Sequence, residues 1–169
     1  MPVGATVARS SKDAAEIART YSVNKILGAR WGALVLDIGV CLAVFVALSI
    51  VARGGNWVLA AWGVFIGAYF IIMEGKWGAT LGKMGTKIRV VDRAGQPPGY
   101  GRAFVRMLLR LVEVNPLLFG GISAALAVWS SSTRQRLGDM AAATYVLFAE
   151  DVGRLAAVRA QKHEISVFD

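Results

Sequence analysis

The sequence predicts an all-α membrane protein with two transmembrane helices, a broken helical hairpin and a small cytoplasmic two-strand β element. Three observations predict it. Of the 169 residues, 56% are hydrophobic and the mean hydropathy is +0.52, a composition typical of the membrane class. Two apolar runs, residues 31–51 and 57–73, are parted only by the polar break Arg53-Gly-Gly-Asn56. The basic excess, a net charge of +8, flanks these runs, a pattern that suits membrane topology and anionic head groups rather than nucleic acid.

The elements follow in chain order. Ser10 to Leu27 reads as a short amphipathic helix, capped by Ser10 and Asp13, with Ala14, Ile17, Ala18 and Tyr21 recurring at helical spacing. Such a helix lies on the membrane surface or packs as an entry helix. Trp31 to Val51 is long enough to span and carries one charge, Asp37. Trp57 to Met73 is a shorter span, and its Gly63 and Gly67 have the small-xxx-small spacing of a helix-packing face. Trp31, Trp57, Trp62 and Trp77 stand at or near the span ends, as an aromatic belt requires.

Charge sets the orientation. Residues 1–30 carry five Lys or Arg, the break between the runs carries only Arg53, and residues 74–106 carry seven. The positive-inside rule places the N-terminus and residues 74–106 in the cytoplasm. The N-terminal residues contain no signal-peptide-like apolar stretch, so the chain is expected to insert through its own spans.

The third apolar region, residues 103–132, contains Arg110, Glu113 and Asn115-Pro116, and basic residues follow it. The preferred reading is a hairpin broken at the proline, with Gly101 to Val114 as an amphipathic arm and Leu117 to Ser130 as the return arm. The alternative is one continuous tilted span with the C-terminus outside. Residues 87–91 and 144–148 are β-branched or aromatic runs expected to pair. An unpaired strand at the membrane surface would leave backbone groups unsatisfied. Residues 149–169 form a mixed-charge cytoplasmic tail, expected to be a fraying helix. The domain division is then 1–27, 28–148 and 149–169.

Few site chemistries fit. The Thr80-Leu-Gly-Lys83 stretch lacks a phosphate loop's spacing. Trp77 stands where the first glycine belongs, and Met84 where Ser or Thr belongs. Cys41 and His163 are single, with no Cys/His cluster or carboxylate pair at ligand spacing. No enzymatic activity, cofactor or metal is expected. The charges inside the apolar runs are more informative. Arg30 and Asp37 share a helix face, about 10 Å apart along the axis. A carboxylate two turns deep costs roughly 2.5–3.5 kcal/mol unless it is paired, protonated or hydrated. Arg106 and Arg110, on one face of the arm, and Arg134 and Arg136, ahead of Asp139, supply the expected partners.

The run Arg30-Trp-Gly-Ala-Leu-Val-Leu-Asp37, then Thr80-Leu-Gly-Lys83 with Lys87-Ile-Arg-Val-Val91, then Arg102 and Arg106, then Arg134-Gln-Arg-Leu-Gly-Asp139-Met-Ala-Ala-Ala-Thr144, resembles the RDD family of small bacterial integral membrane proteins. The resemblance implies that the arginine and two aspartates of the family's name fall on Arg30, Asp37 and Asp139. Two residues depart from the pattern. Gly138 stands where many members carry His, which speaks against a His-based proton relay. Ala143 replaces a frequent Gly, with tighter packing as the expected consequence.

The resemblance implies a multi-pass protein of the bacterial inner membrane. Some members are associated with monovalent cation/proton antiport, and others occur as accessory membrane proteins. A chain this small can hardly enclose an aqueous path alone. The preferred expectation is therefore a non-enzymatic accessory or scaffold subunit of a membrane transport complex. An oligomeric monovalent cation/proton antiporter using Asp37 and Asp139 is the alternative. The expected partners are a bilayer with anionic head groups and either another membrane protein or further copies of this chain.

Overall fold

A computed structural model describes residues 13–53, 55–113 and 122–167. Eight helices and two strands are described among them, in the order α1 (Ala14–Arg19), α2 (Val23–Val51), α3 (Val58–Trp77), α4 (Leu81–Gly85), β1 (Ile88–Val91), α5 (Gly99–Glu113), α6 (Ile122–Ser130), α7 (Leu137–Ala141), β2 (Tyr145–Phe148) and α8 (Ala149–Val167).

The N-terminal region is not one helix from Ser10 to Leu27. Asp13 itself caps α1, accepting the Glu16 N–H at 2.9 Å. The helix stops at Thr20, and Ser22 is extended before α2 starts. Ser10 lies outside the described residues. Helix α2 therefore begins eight residues before Trp31. Its 29 residues reach about 43 Å, more than a hydrocarbon core needs. Its buried residues, Ile26, Ala33, Asp37 and Cys41, form one stripe at helical spacing. Val35, Leu36, Ile38, Leu42, Val46 and Ile50 all face outward.

Helices α2 and α3 are both long and apolar enough to cross a membrane, with mean hydropathies of 2.7 and 1.8 in their most apolar windows. Trp62 joins them. Its indole N–H donates to the Cys41 carbonyl at 2.8 Å, and its ring lies 5.1 Å from that of Phe45. It is a helix-to-helix contact. Within this chain, no described atom lies within 4 Å of a methyl built at Gly63. Gly67 faces only the Met107 side-chain tip on α5, at 4.0 Å.

Helix α3 ends at Gly78, whose φ of +66° is the left-handed conformation that glycine adopts freely. The reversal brings the Gly78 carbonyl to the Val90 N–H at 2.6 Å and aims α4 back at α2.

The two strands pair antiparallel, with Ile88 opposite Phe148 and Val91 opposite Tyr145, close to the expected 87–91 and 144–148. One face of the ladder packs on Ile26, Ala33 and Val128, and Val91 and Leu147 pack on Ala14 and Ala18 of α1. Helix α5 is amphipathic with its polar face inward. Ala103 and Arg106 are buried, whereas Phe104, Leu108 and Leu111 are exposed. The proline break, residues 114–121, lies outside the described residues. The α6 start at Ile122 is described, so the arm and part of the return arm are seen.

Ala143 has φ +49°. The residue before Thr144 thus needs the left-handed conformation, which costs an L-residue roughly 1–2 kcal/mol. A glycine there would relieve backbone strain, so packing is not what distinguishes the two residues.

Candidate functional site: a buried polar chain across five helices

Three carboxylates organise the interior. The first is Asp37 on α2, 3% exposed. Among the described residues, no arginine reaches it. The Tyr69 hydroxyl on α3 donates to Oδ1 at 2.7 Å, the Thr80 hydroxyl to Oδ2 at 2.6 Å, and the Gly82 N–H to Oδ1 at 2.8 Å. Tyr69 in turn accepts the Leu81 N–H at 2.9 Å, and Thr80 caps α4 by accepting the Lys83 N–H at 3.3 Å. The first N–H groups of α4 are therefore satisfied by Asp37 and by two hydroxyls that Asp37 holds. The expected Arg–Asp37 pair is replaced by neutral donors, because α4 delivers its backbone dipoles where the arginines do not reach. Gly82 is needed for that approach. A methyl there would overlap the Ala33 carbonyl and come within 2.8 Å of the Asp37 carboxyl carbon.

The second carboxylate is Glu74 on α3, 1% exposed. It is not among the charges expected from the sequence to cluster. It accepts from Lys83 Nζ, from Arg106 Nε at 2.9 Å and from Arg110 Nη2 at 2.6 Å. The Arg110 guanidinium also stacks 3.9 Å from the Phe70 ring centre. One signal was present. Glu74 lies one helical turn from Phe70, at the end of an apolar run, and Lys83 follows it within the same turn-rich segment.

The third is Asp139 on α7, fully buried. Arg30 Nη1 reaches Oδ2 at 2.7 Å, Arg106 Nη1 reaches Oδ1, and Arg136 contributes its Nε at 3.2 Å and its backbone N–H at 3.2 Å. Arg106, 1% exposed, also donates to the Thr144 hydroxyl at 2.7 Å. It thereby links Glu74 to Asp139 in one continuous ionic chain. Burial pushes the Asp139 carboxyl up, but Arg106, Arg30 and Arg136 outweigh it and hold the group well below the ordinary carboxylate range. Burial pushes Lys83 down to about 7, against the pull of Glu74, because Arg110, Arg106 and Arg136 lie close.

The structure thus gathers Arg30, Arg106, Arg110, Arg136 and Asp139 into one network, with Glu74 and Lys83 as members not anticipated. Asp37 sits beside it on a separate set of donors. Arg134 stands apart. Its guanidinium donates to the carbonyls of Tyr21 at 3.3 Å and Ser131 at 3.2 Å, while its own carbonyl accepts from Arg30 at 3.0 Å. Among the described residues, no group of three or more His, Cys, Asp or Glu forms a metal-ligand cluster.

The model of a family described as the RDD family matches residues 26–143, more than half of the chain, and that span carries all three carboxylates. Neither the curated proteins nor the solved structures contain a match.

Proposed function

The chain belongs to the RDD family, and from that premise we propose that it is a multi-pass protein of the bacterial inner membrane, a non-enzymatic accessory or scaffold subunit of a membrane transport complex. Helices α2 and α3 cross the bilayer. Helix α5 lies at the cytoplasmic interface with Arg106 and Arg110 inward and Phe104, Leu108 and Leu111 toward lipid.

The observation that carries the scaffold role is the closure of Asp37. Three donors from α3, the α3–α4 turn and α4 hold both of its oxygens. A transporting carboxylate must exchange a proton for a cation, and here each exchange would uncap α4. An acid so held serves to lock α4 against α2.

The test is cation-dependent proton flux in proteoliposomes, for the native chain and for Asp37→Asn, beside detergent pull-down from native membrane. The scaffold role expects flux at the empty-liposome level in both and a partner retained through solubilisation. Flux in the native chain that Asp37→Asn abolishes would replace this reading with an oligomeric antiporter.

A further inference from the structure

The depth of Asp37 fixes the depth of the short helix that it holds. The apolar run of α2, residues 31–51, extends about 30 Å, the thickness of one hydrocarbon core. Arg30 then stands at the cytoplasmic edge of that core, and Asp37, seven residues on, lies about 10 Å inside it. Asp37 accepts the Thr80 hydroxyl at 2.6 Å and the Gly82 N–H at 2.8 Å, so the start of α4 shares its depth. A methyl built at Gly85 would stand 2.9 Å from Leu36 Cδ1, and one built at Gly32 would stand 3.1 Å from Thr86 Cγ2. Helix α4 therefore runs beside α2 from the level of Asp37 back toward Gly32. The next element, β1, shares a core with Ile26 through Ile88.

The side chains of α4 are turned to match. Thr80, Gly82 and Lys83 are buried, whereas Leu81 is 49% and Met84 40% exposed. Lys83 points inward to Glu74. A short helix facing water would show its lysine and hide its leucine. Here the order is reversed, and the outward face continues the apolar surface that Trp31, Val35 and Leu36 give α2. The backbone is provided for as well. Within hydrocarbon each unmade backbone donor costs several kcal/mol. At the start of α4, Leu81 N–H donates to the Tyr69 hydroxyl at 2.9 Å, Gly82 to Asp37, Lys83 to the Thr80 hydroxyl at 3.3 Å and Met84 to the Thr80 carbonyl at 2.9 Å. These first four donors are thus met without water.

We propose that α4 is a re-entrant helix whose exposed face, Leu81 and Met84, seats against the acyl chains of the cytoplasmic leaflet. The chain leaves the core at the end of α3, turns at Gly78, dips back beside α2 and emerges at β1. Asp37 is the intramembrane cap that lets a helix start at that depth. Lys83, one of the basic residues between 74 and 106, is carried into the leaflet with Glu74 as its counter-ion. The inference rests on the reading of α2 and α3 as spans.

The test is nitroxide scanning of the full chain in liposomes, in a Cys41→Ala background. Labels are placed on Lys76→Cys, Leu81→Cys, Met84→Cys and Arg89→Cys, all exposed positions. Leu42→Cys, exposed on α2, is the mid-bilayer reference. Collision with oxygen, which partitions into hydrocarbon, is compared with collision with a nickel chelate that stays in water. Re-entry expects nickel collisions at 76 and 89 on either side, and their loss at 81 and 84 in favour of oxygen, as at 42. One folded variant of the Leu81 and Met84 pair is enough to decide. The inference is overturned if nickel reaches 81 and 84 as readily as 76 and 89. It is equally overturned if both reagents are excluded there, since a protein partner would then cover α4. Nickel collisions at Leu42→Cys would remove the spanning reading itself, and re-entry with it.

Discussion

Arg106 Nε lies 2.9 Å from Glu74 Oε2, and the same guanidinium turns its Nη1 to Asp139, so one side chain from α5 ties α3 to α7. Replacing it by methionine keeps the bulk but removes a cation from two buried carboxylates at once. Breaking a buried pair in this way costs about 3–5 kcal/mol. Denaturant unfolding in detergent micelles is expected to show a loss of that size. Arg106→Lys is expected to rescue little of it, because an ammonium is a point charge and cannot span both partners.

The α2–α4 lock gives a second expectation. Thr80→Val removes both the donor to Asp37 and the cap of α4, a loss of about 1–2 kcal/mol. Gly82→Ala forces the Ala33 backbone and the Asp37 carboxyl away, an overpacking cost of about 1–3 kcal/mol. The two defects act on one contact, so the double variant should lose less than the sum of the singles. Full additivity in a thermodynamic cycle would contradict a shared lock.

Stability should rise with pH above neutrality. Lys83 titrates at about 7 in the folded chain and near the ordinary lysine value of about 10.4 when unfolded. Between those values the unfolded state binds more protons, so raising the pH favours the fold, and the penalty is fully present below about 7. Melting temperatures measured from pH 7 to 10 are expected to climb, and Lys83→Met is expected to flatten the climb.

Ala143→Gly should stabilise the protein. It removes a left-handed strain of roughly 1–2 kcal/mol against an added backbone entropy of about 0.5–1 kcal/mol. The net gain is at most about 1.5 kcal/mol, read as a small rise in melting temperature. An unchanged or lower value would mean that the Ala143 methyl contributes packing of its own.

Orientation is accessible to labelling. In a Cys41→Ala background, Asn56→Cys in the α2–α3 turn and Gln96→Cys after β1 are both on exposed residues. An impermeant maleimide applied to intact cells is expected to reach Asn56→Cys alone. Gln96→Cys should react only after permeabilisation. The reverse pattern would invert the positive-inside assignment.

The sequence by itself determined the elements whose residues carry their own local reason. Two apolar runs near membrane length became α2 and α3. The β-branched runs paired as expected, since exposed strand backbone demands a partner. The spacing of Arg106 and Arg110 marked an amphipathic arm. It also singled out Arg30 and Asp139 without knowing that they meet. Only the tertiary structure decided how the charges pair. Asp37 was expected on arginine, but Gly78 turns α4 so that its N–H groups and Thr80 arrive first. Glu74 looked like the end of a span until Arg106, Arg110 and Lys83 converged on it from two other helices. The physical reason is that helix propensity and hydropathy are properties of neighbours along the chain. The partner of a buried charge is set by which donors reach it through space, and that depends on turns such as Gly78 whose direction no local pattern encodes.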